Sequence, residues 1–245
     1  MSYDIITNPN SIKLSLDEIH LDNNNKEKLQ QVIDEVSYFN ILNQYGLKIT
    51  NKILLHGASG CGKTATAKAI AKKLNKKIIT LDLSEFISSR LGETSRNINS
   101  SFKKAARENA VLFIDEFDSL GKLRDYETKD SGEMKRVVNT LLQLIDQIPD
   151  NVLLICATNF IKIIDQALLR RFEIKLSFNL PTKSQLETFY NEILDKFPKN
   201  LHEIKRTYQI SYAEAKDLVE NQVKKKLITQ EKAKETHYEN KSINN

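Results

Sequence analysis

The sequence predicts an α/β protein, with a parallel five-stranded sheet layered between helices and followed by a small all-helical subdomain. Three observations predict it. Five short apolar runs alternate with helical patterns between about residues 51 and 178. Those runs show little polar alternation, as strands covered on both faces do. Beyond Pro181 only helical periods remain.

The elements follow in order. A polar lead, residues 1–46, holds one amphipathic helix over about 26–44, with Leu29, Val32, Ile33, Val36 and Phe39 at helical spacing. The sheet unit, residues 47–180, has its strands at Ile53-Leu54-Leu55, Ile78-Ile79-Thr80-Leu81, Val111-Leu112-Phe113-Ile114, Val152-Leu153-Leu154-Ile155 and Ile174-Lys175-Leu176. The helical subdomain, residues 181–228, carries helical periods at 185–197, 201–208 and 212–227. The end, 229–245, is polar and charged and reads as a fraying helix or an unstructured tail.

Composition narrows the class. Of 245 residues, 40% are hydrophobic and 28% charged, enough for a core under a solvated surface. No stretch approaches the roughly 18 apolar residues of a membrane span. The first ten residues have neither the basic start nor the apolar centre of a secretory signal. Cys61 and Cys156 are the only cysteines, so no disulfide framework is expected and a cytoplasmic address follows. The net charge of +5 is spread widely, which leaves nucleic acid open as a partner without indicating it.

Gly57-Ala58-Ser59-Gly60-Cys61-Gly62-Lys63-Thr64 fits G-x-x-x-x-G-K-[ST], between an apolar strand and a helix that begins near Lys63, and the nucleotide-binding residues expected are Gly57, Gly60, Cys61, Gly62, Lys63, Thr64 and Ala65. Such a loop stacks backbone N–H groups and a helix N-terminus around a phosphate. Three of the seven glycines, Gly57, Gly60 and Gly62, lie in it. Lys63 is expected to reach the β and γ phosphates of ATP, and Thr64 to offer its hydroxyl to Mg2+. Cys61 fills a variable position, with redox control as the other reading. The fold expected is therefore the P-loop NTPase αβα sandwich.

A second signal follows at Val111 to Glu116, an apolar strand ending in two carboxylates. Two unpaired carboxylates cannot be buried cheaply within a strand. Their place is the strand end, where ligands bind in open α/β sheets. Asp115 is expected in the magnesium shell and Glu116 as the base for a water attacking the γ phosphate. Asp118 reads as a loop or cap residue. Asn159 closes the next strand and could reach that water.

These elements, in this order and spacing, resemble the AAA family of oligomeric ATPases from about Leu42 to Leu180, and more loosely to Leu227. Ala157-Thr158-Asn159-Phe160 with Ile164 to Phe172 is similar to the family's second region of homology, and Glu133 to Gln143 to the helix after the acidic motif. The resemblance implies that Asn159 is the first sensor. It implies too that Arg170 and Arg171 are arginine fingers acting on the neighbouring subunit's γ phosphate. Their other reading is a pair of solvated bases at a helix end. The family's strand order would set the Asn159 strand between those ending at Gly57 and Asp115. Leu16 to Leu21 and Ser211-Tyr212-Ala213 resemble the adenine walls.

One segment departs from the family. Glu85 to Thr94 resembles the first pore loop, but Arg90-Leu91-Gly92 stands where translocating members carry an aromatic, an aliphatic and Gly. An arginine favours acidic segments or phosphates over generic polypeptide. The roughly 45 residues ahead of the sheet unit are too few for a separate recognition domain with its linker. The leading expectation is an ATP-hydrolysing homo-oligomer, a hexameric ring, that remodels or translocates a protein delivered by a separate partner or protease, with no membrane involved. The alternative is a nucleotide-controlled loader or scaffold acting on nucleic acid or recruiting another enzyme, motivated by the net charge, Arg90 and Lys224-Lys225-Lys226.

Overall fold

The computed structural model describes the backbone of residues 4–84, 91–122 and 131–243, and the side chains of 4–84, 95–121 and 135–233. It divides into two compact units. The first comprises residues 1–57 and 62–178, the second residues 58–61 and 179–245.

The first unit is built on β1 (Asp4–Thr7), β2 (Lys52–Gly57), β3 (Ile78–Asp82), β4 (Val111–Asp115), β5 (Leu153–Thr158) and β6 (Ile174–Phe178). The sheet order is β1-β3-β4-β5-β2-β6, parallel except for β1, which runs antiparallel along β3. The five expected parallel strands are present, and β1 adds a sixth. It escapes a pattern search because it is four residues long, with Ile5 67% exposed and no buried face to set a period. An ion pair helps to hold it, Lys104 Nζ to the nearly buried Asp4 carboxylate at 2.9 Å.

Helices cover both faces: α1 (Asn23–Ser37), α2 (Phe39–Gln44), α3 (Lys63–Lys73), α4 (Leu91–Glu108), α5 (Ser119–Lys122), α6 (Ser131–Asp146) and α7 (Gln166–Leu169). Successive strand residues point to opposite faces. Leu54, Leu112, Ile114, Leu154 and Cys156 join Ile98 and Phe102 of α4 and Val137, Leu141 and Ile145 of α6 in one core cluster. Ile53, Leu55, Phe113 and Ile155, of opposite orientation, are also fully buried. The single helix expected at 26–44 is two. Asp22 caps α1 by accepting from Asn25 N–H at 2.7 Å, which starts it at Asn23. At Tyr38 the backbone turns to φ −100°, ψ 19° and the helix ends.

The second unit packs α8 (Lys183–Leu194) against α9 (Tyr212–Ile243) through Leu186, Tyr190, Ile193, Leu194, Ala215, Val219 and Val223. Thr182 and Gln185 form a capping box that starts α8. The helical period at 201–208 does not become a helix. Only a short 3-10 turn, Lys199–Leu201, forms there. The Gln222 side chain occupies both backbone groups of Lys205, and Tyr190 donates its hydroxyl to the Thr207 carbonyl, so these polar groups are satisfied without helical bonds. Conversely, α9 continues through the polar end of the chain, where no Gly or Pro interrupts it.

Asn51 secures the start of β2 next to β5. Its buried amide donates to the Pro149 and Val152 carbonyls at 3.2 and 3.1 Å, and its own carbonyl accepts from Leu154 N–H. Asn51→Ala removes this donor from the buried Val152 carbonyl, while the Pro149 carbonyl keeps Val152 N–H. It is expected to lower unfolding stability by about 2 kcal/mol in urea titration, with an unchanged m value.

Candidate active site

All parallel strands end on one side, so the turns after β2, β4 and β5 meet there. Gly57 ends β2 at φ +132°, where a Cβ would lie 2.1 Å from the Phe178 carbonyl oxygen of β6. Gly62, at φ +100°, is the N-cap of α3. The helix therefore directs its N-terminal amides at the phosphate loop.

The first residues of α3 carry the functional groups. Lys63 is 7% exposed, and its ammonium donates to the Gly57 carbonyl and to Asn159 Oδ1, each at 2.8 Å. Both of these acceptors are neutral oxygens. Thr64 donates its hydroxyl to Asp115 Oδ2 at 2.8 Å. The other Asp115 oxygen accepts from Glu116 N–H at 2.9 Å. The structure thus brings Lys63, Thr64, Asp115, Glu116 and Asn159 to one edge of the sheet. Its order sets β5 between β4 and β2, the arrangement expected for Asn159.

Glu116 has φ +49°, a left-handed conformation uncommon for a residue with a side chain. The surroundings hold it. Phe117 N–H bonds to the Ala157 carbonyl of β5 at 2.8 Å, and Ser119 N–H to the Glu116 carbonyl at 2.9 Å. Strained backbone of this kind collects where a side chain must be aimed.

Asp118 is more than a loop or cap residue. It is fully buried, and Oδ1 accepts from Thr158 Oγ1 at 3.0 Å and from Asn159 N–H at 3.1 Å. The turn after β4 is thereby tied to the end of β5. A signal was available in the sequence: Asp118 lies between Phe117 and Leu120, both core residues, where a solvated acid is out of place.

His56, one residue before the loop, also escaped the sequence reading. It sits in register with Thr158 and Ser177. Burial pushes its pKa down, with the Lys63 and Lys175 charges adding to the effect. Burial also raises the Cys156 thiol well above its usual value, and Cys61 and Cys156, both buried, form no disulfide.

Arg170 and Arg171 follow α7. Arg170 is exposed. Arg171 instead turns into its own subunit, with Nε and Nη2 on the two Asp146 oxygens at 3.0 Å each and Nη1 on the Ala167 carbonyl at 2.7 Å. Of the expected pore loop, Arg90 lies outside the described residues, and Leu91 and Gly92 are described only as the backbone start of α4.

Of the segments likened to the adenine walls, Ile19 lies in the first unit, its Cγ2 3.9 Å from where a Gly62 Cβ would be. In the second unit the loop tip, residues 58–61, meets the start of α9. Ala213 N–H donates to the Gly60 carbonyl at 3.1 Å, and Ser211 Oγ lies 2.5 Å from where a Gly60 Cβ would be. Burial, with Cys61 and Glu192 adding, pushes the Tyr212 hydroxyl up to about 12.

Comparison with known proteins places this geometry. Residues 53–180, just over half of the chain, match the model of the ATPase family associated with various cellular activities, AAA. An uncharacterized AAA family ATPase of Sinorhizobium fredii is 40% identical over 148 residues, covering 60% of this chain and 44% of that one. A 26S proteasome regulatory subunit 6B homolog of Dictyostelium discoideum is 34% identical over 179 residues, covering 70% of this chain and 44% of that one. The chain thus spans less than half the length of these curated relatives. The crystal structure of the FIGL-1 AAA domain superposes with a TM-score of 0.68 at 20% identity, covering 86% of this chain and 72% of that one, and the same domain has been solved with ADP. No helix among the described residues is long and apolar enough to cross a membrane.

The His56 shift has a consequence for stability. A histidine whose folded pKa lies below its unfolded value binds its proton less tightly when folded. Its stabilising contribution is complete above about pH 6.5 and is lost as the pH falls through the lower folded value. His56→Asn is expected to flatten that acid arm of the stability–pH curve, measured by urea titration at a series of pH values.

Proposed function

The chain belongs to the AAA family of ATPases, and we propose that it hydrolyses ATP as a subunit of a hexameric ring that remodels or translocates a protein partner. The observation that carries this reading is the paired contact at the sheet edge, Lys63 on Asn159 and Thr64 on Asp115. The buried Lys63 ammonium, at the N-terminus of α3 beside the loop, is placed to bind phosphate. The Thr64 hydroxyl and Asp115 carboxylate converge as two oxygen donors, the chemistry a hard divalent cation requires. These two residues would hold Mg2+, which when bound supplies positive charge between the phosphates.

The remaining roles fall to the protein. Lys63 and the α3 amides bind and orient the phosphates. Glu116 takes a proton from water as its oxygen bonds to the γ phosphorus. The bond to the bridging oxygen breaks, and ADP and phosphate leave. Asn159, fixed by Asp118, orients that water. An arginine of the 170–171 segment, reaching across from the adjacent subunit, offsets charge on the γ phosphoryl oxygens.

Several observations support the assembly and its client. Arg170 is exposed rather than directed into its own subunit, which suits action in trans. The similarity to proteasome regulatory subunits favours a protein as the client, delivered by a separate partner or protease. Two buried cysteines outside any disulfide suit the reducing cytoplasm.

Glu116→Gln is expected to retain ATP, to lose about 10²–10⁴-fold in turnover, and to accumulate assemblies in ATP by size-exclusion chromatography. Unchanged phosphate release would overturn the reading. Mixing Glu116→Gln with Arg170→Ala subunits, each inactive alone, should restore part of the activity, because some interfaces then pair an intact base with an intact arginine. No recovery in demonstrably mixed assemblies would count against the shared site.

A further inference from the structure

We propose that Arg171 is not a second trans-acting arginine but a strut, anchored on Asp146, that sets the position of Arg170. The inference rests on the ring reading above, in which the 170–171 segment serves the neighbouring subunit's nucleotide.

Arg171 has three nitrogens, and all three are engaged within the chain. Nε and Nη2 form a two-pronged pair with the Asp146 carboxylate, and Nη1 donates to the Ala167 carbonyl. This is the fork geometry that distinguishes arginine from lysine. The partners have their own reason to hold it. Asp146 is the last residue of α6, so its charge sits at the negative end of that helix dipole. The Ala167 carbonyl belongs to α7, whose last carbonyls lack intrahelical donors. One cation answers both. The hydrogen bonds to Asp146 accordingly raise the Arg171 pKa.

Helix α7 has four residues, Gln166–Leu169, far below the roughly 12–15 at which an isolated helix holds its own shape. Its geometry must be imposed by tethers. At its N-terminus Asp165 accepts from Ala167 N–H at 2.7 Å. Leu168 is fully buried, and Phe172 is 2% exposed with its ring edge-on to Phe117, centroids 5.8 Å apart. Arg170 stands exposed between those two anchors, with no ion pair among the described residues. The Arg171–Asp146 pair is the polar tether at this end of the helix.

Both partners of the pair are partly exposed, so its worth lies in direction more than in stability. Direction matters here, because a displacement of about 1 Å at a reacting group costs on the order of 10²-fold in rate. Asp146 thereby becomes a positioning residue.

The test is a charge swap on the full chain, read as steady-state phosphate release by assembled protein. Arg170→Ala is the reference and should lose about 10³-fold or more in kcat. Arg171→Ala and the isosteric Asp146→Asn should each lose on the order of 10-fold to 10²-fold in kcat, with KM for ATP unchanged. Asp146→Asn combined with Arg171→Ala should be no worse than either alone. The swap Asp146→Arg with Arg171→Asp should recover most of the lost kcat.

If Arg171→Ala matches Arg170→Ala while Asp146→Asn turns over normally, Arg171 is itself a finger and the strut is wrong. A swap no better than Arg171→Ala also overturns it, provided the conservative Asp146→Asn variant melts as wild type does. If Arg170→Ala itself turns over normally, the ring reading fails instead, a result distinguishable from the other two.

Discussion

The working edge of this protein depends on one buried carboxylate. Asp118 is removed from water and accepts from the Thr158 hydroxyl and the Asn159 amide. A carboxylate in that position is tolerable only with such donors, so the arrangement is close to all-or-none. Through it the turn after β4 is tied to the end of β5. Glu116 lies two residues before Asp118 and is held at a positive φ by bonds that begin in the same turn. The backbone at Asn159 is held from the same point. The two groups proposed to handle the attacking water are therefore placed by one local structure, and neither can shift without disturbing the other.

The charges around that edge follow from parallel topology. Strands that run the same way deliver their C-terminal turns to one side, and the order β4-β5-β2 makes Asn159 the neighbour of both Asp115 and Gly57. Lys63 donates to the Gly57 backbone carbonyl and to the Asn159 amide oxygen. Thr64 and Asp115 pair with each other instead. His56 is biased towards its neutral form beside them, so it adds no second positive charge under the loop.

Much of this was legible in the sequence, for identifiable reasons. The loop is legible because a phosphate cradle demands glycine and a cation at fixed offsets. The five parallel strands are legible because burial on both faces leaves continuous apolar runs. β1 was not, since four residues with an exposed face carry no period. The helical period at 201–208 misled because Gln222, far along the chain, occupies the backbone of Lys205. Asp118 was read as a loop residue because its donors lie some forty positions away. Arg171 was read with Arg170 because adjacency in sequence says nothing of Asp146, twenty-five residues earlier. What was missed has a common physical character. Each miss is a polar side chain or short strand whose partner is remote, and a single sequence carries no record of that pairing.

The same remoteness shows how one subunit could serve two nucleotides. Phe117 follows Glu116, Phe172 follows Arg171, and the two rings meet edge to face in the core. The segment proposed to serve the subunit's own ATP and the segment proposed to serve its neighbour's therefore share an apolar contact that neither salt nor pH can weaken. Such a contact sets where the arginine segment ends, but an edge-on ring pair leaves rotation about the chain largely free. The forked ion pair to Asp146 is directional where the rings are not. Position from apolar packing and direction from charge together specify a side chain that must act at a distance. Two bare arginines in sequence would supply charge, but not that specification.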